Sequence, residues 1–184
     1  MSSDIKRQVE FLVALGVGDV PHTQKSYLAH LTNVYRFMKD LNCTEELCQA
    51  GLFHSVYGTQ RFQGFVLPIE RRHEVRELIG ERAEKLAYLN CGMARETIDR
   101  EVQRGTGPYR ITDRLTGEEV ALNEPDFDDL CRVHLYDLLE QIARLGEWDY
   151  RRTGYRRMAE RLGPVAIEAY DRVFAQEPVT QKSA

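Results

Sequence analysis

Apolar residues recur at helical spacing along most of this chain, and glycine, proline or a capping residue interrupts them at short intervals. The strongest stretch runs from about residue 126 to 145, where Phe127, Leu130, Val133, Leu138 and Ile142 form an apolar stripe behind Pro125 and Asp126. Residues 4–15 place Ile5, Val9, Leu12 and Leu15 in the same way. Thr23 is positioned to cap a helix reaching about Leu41, with Tyr27, Leu28, Leu31, Val34, Tyr35 and Met38 on its apolar side. Thr44 opens a TEEL capping sequence, and the helix behind it is expected to pass through Leu47, Ala50, Gly51 and Leu52 to His54. Shorter helices are expected over 70–79 (stopping at Gly80), 81–90 and 94–103. Two more lie between Tyr150 and Ala175, divided at Gly163-Pro164. A chain built this way buries its stripes by packing helix on helix, so the expected fold is an all-α bundle.

One segment breaks the pattern. YRITDRLTGEEVAL alternates around a Thr-Gly turn and predicts a small surface β-hairpin near 109–122. Residues 58–69, with two glycines and Pro68, read as a loop. The 184 residues fit one domain over 1–176, with its core about 20–145 and a flexible tail at 177–184. A net charge of -4 gives no global field toward nucleic acid or an anionic membrane, and neither is an expected partner. No apolar run is long enough for a membrane span and the first residues lack a signal-peptide core, so a cytoplasmic location is expected. Cys43, Cys48, Cys91 and Cys131 form no CxxC pair and read as free thiols. The basic residues Arg151, Arg152, Arg156, Arg157 and Arg161 read as a solvated helix face. The sequence leaves the oligomeric state open.

The histidines carry the chemistry. His30 lies mid-helix among apolar neighbours, and His54 ends the very apolar AGLFHS segment. Each buried imidazole needs a partner at both ring nitrogens. Asp137, between Val133 and Leu138, falls near the stripe of the strongest helix, where a carboxylate is costly unless paired or ligated. Two histidines and an inward carboxylate form a donor set for iron, manganese, zinc or cobalt; a hydrogen-bonded cluster without metal uses the same residues. Ser55, Tyr57 and Thr59 place three hydroxyls beside His54, suited to a polar ligand or to the free carbonyls of a helix end. Gln141, one turn beyond Asp137, orients that carboxylate or contacts substrate. His22 reads as a surface residue or as one reaching the pocket mouth, and Arg71, Arg72 and Arg76 read as solvated or as candidates for a phosphate. His134 reads as a structural core histidine and His73 as exposed.

The blocks HTQKSYLAHLTNVYRFM, ELCQAGLFHSVYGT and IGERAEKLAYL, with the late HLYDLLEQ, resemble the HD superfamily, most of all the ppGpp-hydrolase domains of stringent-response enzymes. They are also similar to an uncharacterised bacterial family in which AGLFHSVYGT recurs. The likeness covers roughly 20–145 and implies a helical metal-hydrolase scaffold with His30, His54 and Asp137 as ligands. The defining His-Asp pair reads His54-Ser55 here, and the later acidic pair reads Gly58-Thr59. Hydrolysis of ppGpp in its familiar form and a two-metal site are therefore not expected. The resemblance implies instead a metal-dependent enzyme on a small molecule, with His54, Ser55, Tyr57 and Thr59 at the reacting centre and His22, Gln141 and Arg72 on substrate. An HD-like iron oxygenase and a non-catalytic ligand- or protein-binding relative are the alternatives.

Overall fold

A computed structural model describes residues 3–22 and 25–178. The chain is all-α with a small β-hairpin insertion. In order come α1 (Ser3–Ala14), a two-stranded ribbon of β1 (Pro21–His22) and β2 (Lys25–Ser26), α2 (Tyr27–Asp40) and α3 (Glu45–Leu52). Next are α4 (Arg72–Ile79), α5 (Glu81–Gly92), α6 (Arg95–Arg104), and the hairpin of β3 (Tyr109–Thr112) and β4 (Glu119–Leu122). The chain then forms α7 (Glu124–Leu145), α8 (Arg152–Leu162) and α9 (Pro164–Phe174). Among the described residues no helix is long and apolar enough to cross a membrane.

The helices that build the centre begin where side-chain oxygens cap them. Ser26 Oγ accepts from Ala29 N–H at the start of α2, Thr44 Oγ1 from Leu47 N–H at α3, and Asn123 Oδ1 from Asp126 N–H at α7. Each such cap stabilises its helix by about 1 kcal/mol. The α2 cap is thus Ser26; Thr23 lies outside the described residues. Tyr27, His30, Leu31, Val34 and Met38 make the buried stripe of α2, so the helical period itself turns His30 inward. In the middle of α7, residues 133–139 are all buried, which marks it as the central helix.

α2 packs on both α3 and α7, α3 touches α7, and α5 fills the remaining side against α3 and α7. α8 and α9 cover α7 from outside, with α6 against α8. The hairpin is antiparallel with Tyr109 opposite Leu122 and Thr112 opposite Glu119. Tyr109 stacks on Phe127 at 4.2 Å between ring centres, seating the hairpin on the first turn of α7 and against α6.

The end of α3 differs from the sequence reading. α3 stops at Leu52, so His54 stands in the turn that follows rather than on the helix. Phe53 N–H tightens to Ala50 O and Gln49 O and the chain swings out of the helical path. Within this turn Gly58 takes φ 75, and a side chain there would strike Val66 Cγ2 at 2.8 Å. The four cysteines are free, as expected. The basic C-terminal stretch is only partly solvated: Arg151 pairs with Asp99 and Arg161 with Asp128, both drawn inward by carboxylates on other helices.

Candidate metal centre

Three elements that touch one another each deliver one group to a single point. His30 comes from α2, His54 from the turn after α3, and Asp137 from α7, and one donor atom of each lies within 4.8 Å of the others. His30 Nε2 and His54 Nε2 are 3.3 Å apart, and Asp137 Oδ1 stands 3.2 Å from the first and 3.1 Å from the second. The residues are 1%, 1% and 7% exposed, so solvent does little to screen them.

The outer ring nitrogens fix the tautomers. His54 Nδ1–H donates to Gly51 O at 2.7 Å, because a carbonyl can only accept. His30 Nδ1–H donates to Glu140 Oε2 at 2.8 Å. In their neutral forms both imidazoles therefore aim Nε2 lone pairs at the carboxylate. Gln141 Nε2 adds one donor, 2.7 Å from Asp137 Oδ1. Two lone pairs and an anionic oxygen in a buried triangle repel unless something positive stands among them: a proton on His30 Nε2, or a cation.

The electrostatics match this demand. Burial acts to lower His30, but the hydrogen bonds and charges of Asp137 and Glu140 outweigh it and push its pKa up to about 9. Burial alone would raise Asp137; the charges and hydrogen bonds of His54 and His30 hold it well below the usual carboxylate range. The spacing also suits a metal ion. Bonds of about 2.1 Å at angles of about 90–110° put neighbouring donor atoms about 3.0–3.4 Å apart. The buried cluster can therefore hold a metal.

A cavity of about 230 Å³ opens onto the triad. Ser55, Thr59 and Gln141 line it, as their sequence positions suggest. The Ser55 and Tyr27 hydroxyls share a hydrogen bond of 2.9 Å. Thr59 Oγ1 accepts from Phe62 N–H and Arg61 N–H, which closes the loop while leaving its own proton to donate. Tyr57 and Arg72 are placed elsewhere, away from the cavity lining. Glu84, fully buried in α5, needs donors, and it takes Tyr57 Oη at 2.9 Å and Arg72 at 2.6 and 2.9 Å. Arg76 joins them, and Arg71 pairs with Glu74, so these arginines are already matched by carboxylates. The side chain of His22 lies outside the described residues.

His134 is structural. It donates from Nδ1 to Asn90 Oδ1 at 3.2 Å and accepts at Nε2 from Arg151 at 2.8 Å. Burial and the neighbouring Arg151 charge hold it well below the ordinary histidine range. Asn90 in turn donates to His54 O at 2.8 Å, so this network anchors the backbone of a triad residue. His73 is exposed, as expected.

Sequence reasoning did not single out Glu140, Arg61, Arg95, Tyr150 or Tyr155. Glu140 had a signal: it follows Asp137 by three residues and so shares its helical face. The other four line the cavity from α6, from α8 and from loops beside the helices, which no local pattern connects.

Residues 11–95, less than half of the chain, match the family model of a domain of unknown function, DUF6817. That span contains His30 and His54 and ends before Asp137. No curated protein and no solved structure matches the chain.

Proposed function

We propose that this protein is a metal-dependent enzyme of HD type, holding one divalent ion on His30, His54 and Asp137 and acting on a small molecule. The observation that carries this reading is the triangle of Nε2, Nε2 and Oδ1 with sides of 3.1–3.3 Å, each imidazole oriented by a second acceptor. Carboxylates and carbonyls behind metal-bound histidines set the tautomer and raise ligand basicity, and Glu140 and Gly51 O stand in those positions. The likeness to HD domains over residues 20–145 supports the same reading. Ser55, in place of the aspartate of that family, is engaged with Tyr27 and leaves three protein ligands, a set suited to a single ion.

Iron, manganese, zinc or cobalt all accept imidazole with carboxylate. When bound, such an ion supplies Lewis acidity and an activated water for cleavage of a phosphoester or related bond. The chain's own groups do the remaining work. Gln141 fixes the Asp137 oxygen, and the Ser55 and Thr59 hydroxyls face the cavity where they can position a substrate oxygen. Two histidines and one carboxylate with open positions are also the ligand set of oxygen-using iron enzymes, and this favours an HD-like iron oxygenase as the second reading.

Elemental analysis of protein purified without a metal-affinity tag, beside His54→Ala, tests the proposal. Near-stoichiometric metal that disappears in the variant is the expected result, and phosphoester turnover against oxygen consumption then separates the two chemistries. No metal in either sample and no uptake on addition would overturn both and leave a non-catalytic ligand- or protein-binding relative.

A further inference from the structure

The cavity over the triad has a second polar feature. Arg95, the first residue of α6, lines it and donates from Nη1 to Tyr150 Oη at 2.7 Å. Its backbone N–H is taken by Gln60 Oε1 at 2.9 Å, which holds the start of α6 against the 58–69 loop. Most guanidiniums near the interior of this chain are matched by a carboxylate: Arg72 by Glu84, Arg144 by Glu140, Arg151 by Asp99, Arg161 by Asp128. Among the described residues Arg95 has no such partner, and a phenol oxygen is the one acceptor its guanidinium reaches. A half-buried cation facing a cavity with most of its donors unspent is arranged for an acceptor from outside the chain.

Arg61 reinforces it from the rim. Its guanidinium lies over the Tyr150 ring, 4.3 Å from the centre, and pairs with Glu147 at 2.8 Å. Asp137 is the sole carboxylate among the lining residues, and it is already surrounded by His30, His54 and Gln141. Arg95 and Arg61 place two guanidiniums in the lining, while Phe62, Leu138 and Leu145 give it an apolar wall. The cavity of about 230 Å³ has room for a small metabolite.

We infer that the substrate is a small molecule carrying an anionic group apart from the bond that reacts, and that Arg95 is the specificity residue binding that group, assisted by Arg61. The inference rests on the metal-enzyme reading only in calling the ligand a substrate. Carboxylate and phosphate share the required chemistry, since each presents paired oxygens to the guanidinium fork.

The test uses the full chain stripped of metal with a chelator, so that an anion cannot report through a bound ion. Inorganic phosphate and propionate are titrated separately by calorimetry or NMR into wild type, Arg95→Gln, Arg95→Lys and Arg61→Gln, with metal uptake measured on the same samples. At least one anion should bind wild type and weaken at least tenfold in Arg95→Gln. Arg95→Lys, which keeps charge without the fork, should fall between, and also serves if Arg95→Gln fails to fold by circular dichroism. Arg61→Gln should lose less. Tighter phosphate assigns a phosphate-bearing substrate, tighter propionate a carboxylate-bearing one. Equal binding by wild type and Arg95→Gln, or no binding of either anion by wild type, overturns the inference. Arg95-dependent binding with no metal uptake by any protein sustains the anion site and overturns the metal reading alone.

Discussion

Replacing Glu140 should weaken metal binding without removing any ligand. Its side chain is 6% exposed and its Oε2 lies 2.8 Å from His30 Nδ1, close enough to polarise the ring and raise the basicity of Nε2. Loss of such a partner costs about 10–100-fold in metal affinity, which is about 1.4–2.8 kcal/mol. Glu140→Gln keeps an oxygen that can accept from Nδ1–H and loses the charge, so it belongs near the tenfold end. Glu140→Ala also frees the ring to rotate and belongs near the hundredfold end. Arg144, which donates to Glu140 Oε2 at 2.6 Å, loses its partner in both variants, and stability will fall as well. Affinity is therefore measured on protein shown to be folded by circular dichroism, by competition of zinc or cobalt against a chromophoric chelator, with His54→Ala as the ligand-loss control. If Glu140→Ala competes within twofold of wild type while His54→Ala binds nothing, Glu140 is only a structural partner of His30 and the argument for a tuned ligand fails.

Two further outcomes follow from the packing and the charges. A side chain at Gly51 would overlap the Met38 sulfur and crowd Val34 Cγ1 at 3.3 Å, so Gly51→Ala should push α2 from α3, costing about 1–3 kcal/mol of stability by thermal melting. Because His30 and His54 sit on either side of that contact, metal affinity should drop too, and a melting shift with unchanged affinity would show that the triangle does not depend on this crossing. In chelator-treated protein, His30 is raised from 6.5 to about 9, so its charged form contributes stability in full below pH 6.5 and loses it as pH rises through about 9. The amount is on the order of 3 kcal/mol, from about 1.4 kcal/mol per pH unit. His134 acts in the opposite window: held neutral by burial and Arg151, it draws stability down as pH falls from about 6.5. Denaturant melts from pH 5 to 9.5 read both slopes, and a His30→Gln variant with an unchanged alkaline slope would exclude His30 as its source.

Much of the candidate site is legible in the sequence because its determinants are local. The stripe of Tyr27, Leu31, Val34 and Met38 includes position 30, so the helical period alone turns His30 to the core. The apolar run before His54 and the residues around Asp137 do the same for those side chains, and a lone buried ionisable group demands a partner wherever it lies. Caps and breakers placed the helices to within a few residues, as at Thr44, Gly80, Pro125 and Gly163-Pro164, since these signals act through neighbouring backbone groups.

Tertiary structure alone decided which partners meet. The helical period says which face of α2 or α7 is buried, not how far each helix is turned or shifted against the next, and a displacement of one turn moves a side chain by about 5.4 Å. That margin separates a 3.2 Å contact from none, so the convergence of His30, His54 and Asp137 is a property of how α2, α3 and α7 cross. Tyr57 illustrates the reverse. Three residues beyond His54 in sequence, it leaves the site because buried Glu84 on α5 needs a donor, and Arg72 follows it there. Arg61 and Arg95 enter the cavity from a loop and from the start of α6, brought together over Tyr150 by contacts 55 residues and more apart in the chain. Local sequence fixes which side chains must be inside; the fold fixes which of them share a charge.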